Sequence, residues 1–216
     1  MIASVAFQKF KALRNTSLRL VPFNLVIGPN GSGKTSLIQA ILRLRTLAKL
    51  PLADPAVPHP TRAEGPGIVF TFAPPHEGVK ASMLCVSDVQ CDTLLVEPAN
   101  TSDWPLLKTE IGRIRSFLLD HYQMAEPALR TDGAELVGNG RNLAAVLAAM
   151  RERAPAAFAG LAAEVLRLMP EYSGIDLAGG PGDTVALGLV LGDGGAVVPA
   201  ENLSQGTLYL LAMLAL

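Results

Sequence analysis

The chain has 216 residues, 50% of them hydrophobic and 17% charged, with a formal net charge of −1 and a mean hydropathy of +0.34. A chain this apolar buries a real core, which excludes disorder along its whole length. No uncharged apolar run reaches the roughly 18 residues of a membrane-spanning helix, so no membrane is expected.

The charge is uneven. Residues 1–50 hold Lys9, Lys11, Arg14, Arg19, Lys34, Arg43, Arg45 and Lys49 and no Asp or Glu, so the acidic residues all lie later. A basic, acid-free start is shared with transit peptides, but the pattern below reads as folded. Such a segment either attracts phosphates, of a nucleotide or a nucleic acid, or pairs with the acidic remainder. No basic cluster interleaved with aromatics marks a nucleic-acid groove.

In chain order, residues 2–10 read as a strand. Residues 18–27 hold a second stretch ending in the apolar run Phe23-Asn24-Leu25-Val26-Ile27, read as a buried strand. A Gly-rich turn follows over 28–33. Residues 34–50 have apolar positions at helical spacing and are stopped by Pro51. Residues 51–66 are Pro-rich and read as an exposed loop. Residues 67–73, 79–86 and 92–97 read as short strands in antiparallel hairpins. Residues 104–119 are ambiguous between strand and helix. Residues 141–153 and 155–169 read as two helices, with Pro155 tolerated in a first turn and Pro170 as a stop. Residues 184–191 and 196–198 flank a Gly-Asp-Gly-Gly hairpin signal. The last element is an apolar helix over 203–216 that opens at Ser204.

Cys85 and Cys91 have neither the number of a disulfide framework nor a zinc spacing, so reduced thiols in a cytoplasmic protein are the expectation. His59, His76 and His121 stand apart and read as solvated or packed imidazoles.

The chemistry concentrates in one octapeptide. Gly28-Pro29-Asn30-Gly31-Ser32-Gly33-Lys34-Thr35 fits G-x-x-x-x-G-K-[ST], between an apolar run and a helix. Glycines at 31 and 33 let successive N–H groups turn toward one phosphate chain. The helix starting near Lys34 points its positive end at the same place. Lys34 supplies a point charge for the β- and γ-phosphates, and the Thr35 hydroxyl can ligate Mg²⁺. Asn30, Gly31, Ser32, Gly33, Lys34, Thr35 and Ser36 are the candidate nucleotide-binding residues, with ATP and Mg²⁺ as cofactors.

A second motif, Leu203-Ser204-Gln205-Gly206, opens the last helix. With the narrower form G-x-N-G-x-G-K-T, with Phe10-Lys11-Ala12-Leu13, and with the stretches at 140–147, 168–170 and 174–175, it resembles the ABC-type ATPase heads of the RecF/SMC/OLD kind, often called AAA family ATPases. The resemblance covers residues 1–50 and about 129–216. It implies an α/β P-loop NTPase fold with a mixed sheet, an antiparallel β lobe from 1–27 and 67–97, and a helical subregion at 141–169, all within a single head. It further implies a homodimer that forms on ATP, in which Ser204, Gln205 and Gly206 of one subunit close over ATP held on the P-loop of the other. Lys11 matches a basic position that reaches the nucleotide. Gln90 and Gln123 are both candidates for the glutamine loop. DNA enters as a partner by family analogy alone.

The sequence departs from that pattern where such heads carry an acidic pair and a switch histidine after the signature helix. Neither follows Gly206 here. The expectation is a head incomplete at its C-terminus, with no catalytic base identified. A non-hydrolysing, nucleotide-dependent interaction module is the alternative, and a P-loop small-molecule kinase fits less well.

Overall fold

The computed structural model describes residues 1–53, 65–99 and 101–216. Pro55, Pro58 and Pro60 of the expected Pro-rich loop, together with His59, lie outside the described residues. The chain divides into two compact units, Met1–Ile114 and Arg115–Leu216, each with its own apolar core.

The first unit is a five-stranded sheet with two helices. Strands β1 (Ile2–Phe10), β2 (Leu13–Arg19), β3 (Gly67–Phe72), β4 (Lys80–Cys85) and β5 (Cys91–Glu97) lie in the order β2-β1-β3-β4-β5. Alternation explains its buried face. Val5 and Phe7 of β1, Ile68, Phe70 and Phe72 of β3, and Ala81 and Met83 of β4 enter one core at every second position. Helix α1 (Lys34–Leu47) contributes Leu37, Ala40, Leu44 and Leu47 to the same core, the stripe that its spacing predicts. Helix α2 (Trp104–Gly112) adds Leu107 and Ile111. This settles the ambiguous stretch as helix up to Gly112. Two α2-side carboxylates flank the buried His76, with Asp103 Oδ2 at 4.0 Å from Nδ1 and Glu110 Oε1 at 3.6 Å from Nε2.

The second unit opens with α3 (His121–Ala125), capped by the Asp120 carboxylate, which accepts from the backbone N–H of Tyr122 at 3.0 Å. Strand β6 (Ala128–Leu129) follows, then α4 (Leu143–Arg153) and α5 (Pro155–Leu168). Strands β7 (Tyr172–Gly180), β8 (Thr184–Leu191) and β9 (Val197–Pro199) and helix α6 (Gln205–Leu214) complete it. The sheet order is β6-β8-β7, with β9 also on β8. Residues 143–149 of α4 are buried all round, which is why its sequence is small and apolar on every face. The loop before it is pinned by Asn142. This buried amide accepts from Val137 N–H at 2.9 Å and donates to the carbonyls of Asp132 and Glu135 at 2.6 and 2.8 Å.

Three expectations need correction, and one strand has no sequence expectation. Every strand pairing among the described residues is antiparallel, so the fold is α/β with antiparallel sheets, not a mixed sheet. The run Phe23–Ile27 is not a buried strand. It pairs with no described strand, and Phe23, Leu25 and Ile27 are 81%, 75% and 82% exposed. An apolar run of this kind is buried only when strands flank it on both edges, and here none does. Residues 172–180 form a strand that the sequence hides. Their glycines have low strand propensity, and pairing along the whole of β8, from Tyr172↔Leu191 to Gly180↔Thr184, overrides it. Finally, Cys85 and Cys91 are not free thiols but a disulfide.

Candidate functional site

The octapeptide turn lies between the exposed run and α1. Gly31 has φ 81° and Gly33 has φ 96°, the left-handed region open to glycine and costly for other residues. Gly33 is constrained twice, because a Cβ there would stand 2.6 Å from Leu13 Cδ2. That contact seats the β1–β2 turn against the phosphate-binding turn.

Helix α1 begins without a side-chain cap. Among the described residues, the N–H groups of Gly31, Gly33, Lys34, Thr35 and Ser36 have no acceptor, whereas Ser32 N–H bonds to Pro29 O at 3.3 Å. Unpaired donors at a positive helix end can accept an anion. Lys34 Nζ donates to Gly28 O at 2.7 Å and Pro29 O at 2.8 Å, which holds the ammonium over the same turn. Thr35 is exposed in the first turn and Ser36 is buried beneath it. Asn30, Gly31 and Ser32 are exposed on the turn.

Lys11 sits in the β1–β2 turn at φ 49°. Its N–H donates to Asp88 O at 2.8 Å, and its Nζ donates to Gln39 Oε1 of α1 at 2.5 Å. Other cations of the basic start also bond to neutral oxygens: Arg43 Nε donates to Cys91 O at 2.6 Å and Arg45 to Ile114 O at 2.6 Å. Arg14 pairs with Asp88 at 3.4 Å.

In the second unit, Ser204, Gln205 and Gly206 are exposed at the start of α6, while Thr207, Leu208, Leu211 and Ala212 are buried. Ser204 Oγ accepts from Thr207 N–H at 3.1 Å and lies 2.9 Å from Thr207 Oγ1. Gln205 Nε2 donates to Tyr209 Oη at 2.7 Å. Gln90 lies on the tip joining β4 to β5 in the first unit, and Gln123 lies on α3 in the second; both are exposed. The first unit holds both Lys11 and residues 28–36, linked through Lys11 on Gln39 of α1 and Leu13 against Gly33, and the second holds the 204–206 motif.

Resolved electrostatic shifts lie elsewhere. On α5, hydrogen bonding to Arg167 holds the Glu164 carboxyl below its ordinary range, and the same pair raises Arg167. Among the described residues no group of three or more His, Cys, Asp or Glu could hold a metal ion. No described helix is long and apolar enough to cross a membrane.

Residues missed by sequence reasoning include Gln39, Arg43 and Asp88, whose contacts depend on how the hairpin packs. The disulfide had a signal: strands at 79–86 and 92–97 in one hairpin set Cys85 and Cys91 opposite each other, and the observed register pairs them.

The octapeptide turn and the helix after it have the pattern of a P-loop. Residues 23–79, about a quarter of the chain, match the family model of an AAA domain of the AbiEii toxin type, from type IV TA systems. The match spans the phosphate-binding turn and supports an AAA, P-loop ATPase-like domain. No curated protein matches the chain.

Proposed function

We propose that this chain is an ATP-binding head of the ABC/RecF/SMC-like kind, in which ATP held on residues 28–36 of one subunit is closed over by Ser204–Gly206 of another. The observation that carries the reading is the set of unpaired N–H groups at the start of α1, beside the Lys34 ammonium. A polyphosphate would exchange the Lys34 bonds to two carbonyls for charge-assisted bonds, roughly twice as strong. Thr35 is the one protein ligand that this turn offers to Mg²⁺, which suits an ion that keeps waters and phosphate oxygens around it. The exposure of residues 204–206 at the start of α6 supports the trans role.

ATP binding would drive dimerisation, and hydrolysis would reset it. Roles in DNA repair or phage defence belong to the family analogy. A binding-only module is the second reading.

The test is Mg-ATP binding by calorimetry together with association state by sedimentation, for the native chain and Lys34→Ala. The expected result is nucleotide-dependent association of the native chain, with affinity lowered about 10- to 100-fold in the variant, the worth of a charged hydrogen bond. Equal binding by both proteins, or binding without any change in association, refutes the shared-site reading. Mg-ATP turnover that vanishes in Lys34→Ala separates the hydrolytic head from the binding-only module.

A further inference from the structure

The first unit holds a closed circuit of contacts that the nucleotide reading does not use. The five-residue tip Val86–Gln90 is closed at its base by the Cys85–Cys91 disulfide and by Val86 N–H to Gln90 O at 2.9 Å. The tip reaches the β1–β2 turn twice, through Asp88 O on Lys11 N–H at 2.8 Å and Asp88 Oδ2 on Arg14 at 3.4 Å. The base of the hairpin reaches α1, where Arg43 Nε donates to Cys91 O at 2.6 Å. Lys11 Nζ on Gln39 completes the ring back to α1. Inside the ring lies a cavity of about 450 Å³ whose lining includes Lys11, Gln39, Arg43, Gln90 and Cys91.

Lys11 is the member whose conformation needs support. A lysine at φ 49° adopts a backbone state that costs an L-residue roughly 1–2 kcal/mol, and its N–H bond to Asp88 O ties this turn of the β1–β2 hairpin to the disulfide-closed tip. The same turn packs Leu13 under Gly33 of the phosphate-binding turn. We propose that the Cys85–Cys91 disulfide is a redox-sensitive positioning device that holds Lys11 at the nucleotide site and is opened by a dithiol reductant. The proposal rests on the nucleotide reading above.

The chemistry balances as thiol–disulfide exchange. Both cysteines are buried, but Cys91, at 3% exposed, lines the cavity whereas Cys85 is at 0%, so exchange opens at Cys91. A thiolate of the dithiol attacks Cys91 Sγ, and the electron pair of the broken S–S bond goes to Cys85 sulfur, which takes a proton. The second thiolate of the reagent then attacks the reagent sulfur of the mixed disulfide and releases Cys91, which also takes a proton. The protein gains two electrons and two protons, and the dithiol leaves as its own disulfide. With the base open, the tip samples conformations in which Asp88 O no longer meets Lys11 N–H. If Lys11 is then in place for about a tenth to a third of the time, apparent affinity falls about three- to tenfold.

The experiment uses the full chain. Thiol titration and intact mass define the oxidised and dithiothreitol-reduced forms, and circular dichroism confirms that both are folded. Mg-ATP affinity is measured by calorimetry in both forms of the native chain and of Lys11→Ala. Reduction is expected to weaken binding about three- to tenfold in the native chain, and Lys11→Ala is expected to be weakened already and to lose the redox difference. Equal affinity of the two native forms overturns the proposal. So does a redox difference that survives undiminished in Lys11→Ala, which would mark the disulfide as merely structural, and so does a bond that resists dithiothreitol in the folded protein. If neither form binds Mg-ATP, the nucleotide reading itself fails, and hydrogen exchange decides this inference. Faster exchange of the Lys11 amide on reduction then supports the clasp, and unchanged exchange overturns it.

Discussion

Helices α1 and α6 begin in opposite ways. At α6, the Ser204 hydroxyl turns back to accept from Thr207 N–H, so the helix satisfies one of its own orphan donors. At α1, the residue before the helix is Gly33, which has no side chain to offer, and the donors of the first turn stay unpaired. A capped start adds about 1 kcal/mol to stability. An uncapped start gives up that gain and leaves its N–H groups aimed at solvent, which is useful only if an anion arrives. One helix start satisfies a donor of its own and the other leaves its donors open, and the difference rests on a single residue type at the cap.

The comparison can be broken most sharply at Gly33. Gly33→Ala forces φ 96° on an alanine and drives its Cβ to 2.6 Å from Leu13 Cδ2. The expected cost is about 2 kcal/mol, or a fall in thermal midpoint of roughly 10 °C for a unit of about 100 residues, read by calorimetry. Mg-ATP binding should fall with it. A variant of unchanged stability would mean that the turn relaxes without strain.

At the other helix, Ser204→Ala should cost about 1 kcal/mol in thermal or urea unfolding, the usual loss of a serine cap. The nucleotide affinity of the isolated subunit should be unchanged, while ATP-dependent association should weaken. Lost association with full stability would put the hydroxyl in the interface alone. Lost stability with full association would make Ser204 a cap and nothing more.

The smallest effect is expected at the exposed run that leads into α1. Leu25 is 75% exposed, so Leu25→Ser should change stability by less than about 0.5 kcal/mol. A larger loss, measured by chemical denaturation, would show that this run is covered in solution.

Much of this was legible in the residues. The octapeptide specifies its own geometry, because glycines at 31 and 33 are the residues that accept positive φ and the helix after it is amphipathic. The alternation of β1 and β3 and the stops at Pro51 and Pro170 are equally local. The first failure came at Phe23–Ile27, where an apolar run reads as buried whether or not a neighbouring strand exists to bury it. The second came at residues 172–180, where Gly174, Gly179 and Gly180 hide a strand that pairing with β8 creates. The third came at Cys85 and Cys91, whose spacing says little until the hairpin register sets them opposite.

The sequence by itself determined the phosphate-binding turn, the start and face of α1, and the capping serine of α6, because each depends on residues within about one turn of one another. Only the tertiary structure decided that Lys11 is clasped between Asp88 and Gln39, that the cysteines are joined, and that the run before the turn lies open. Those outcomes depend on which distant segments pair. Backbone hydrogen bonding and apolar burial choose among many pairings by their total, and no short stretch of sequence carries that total.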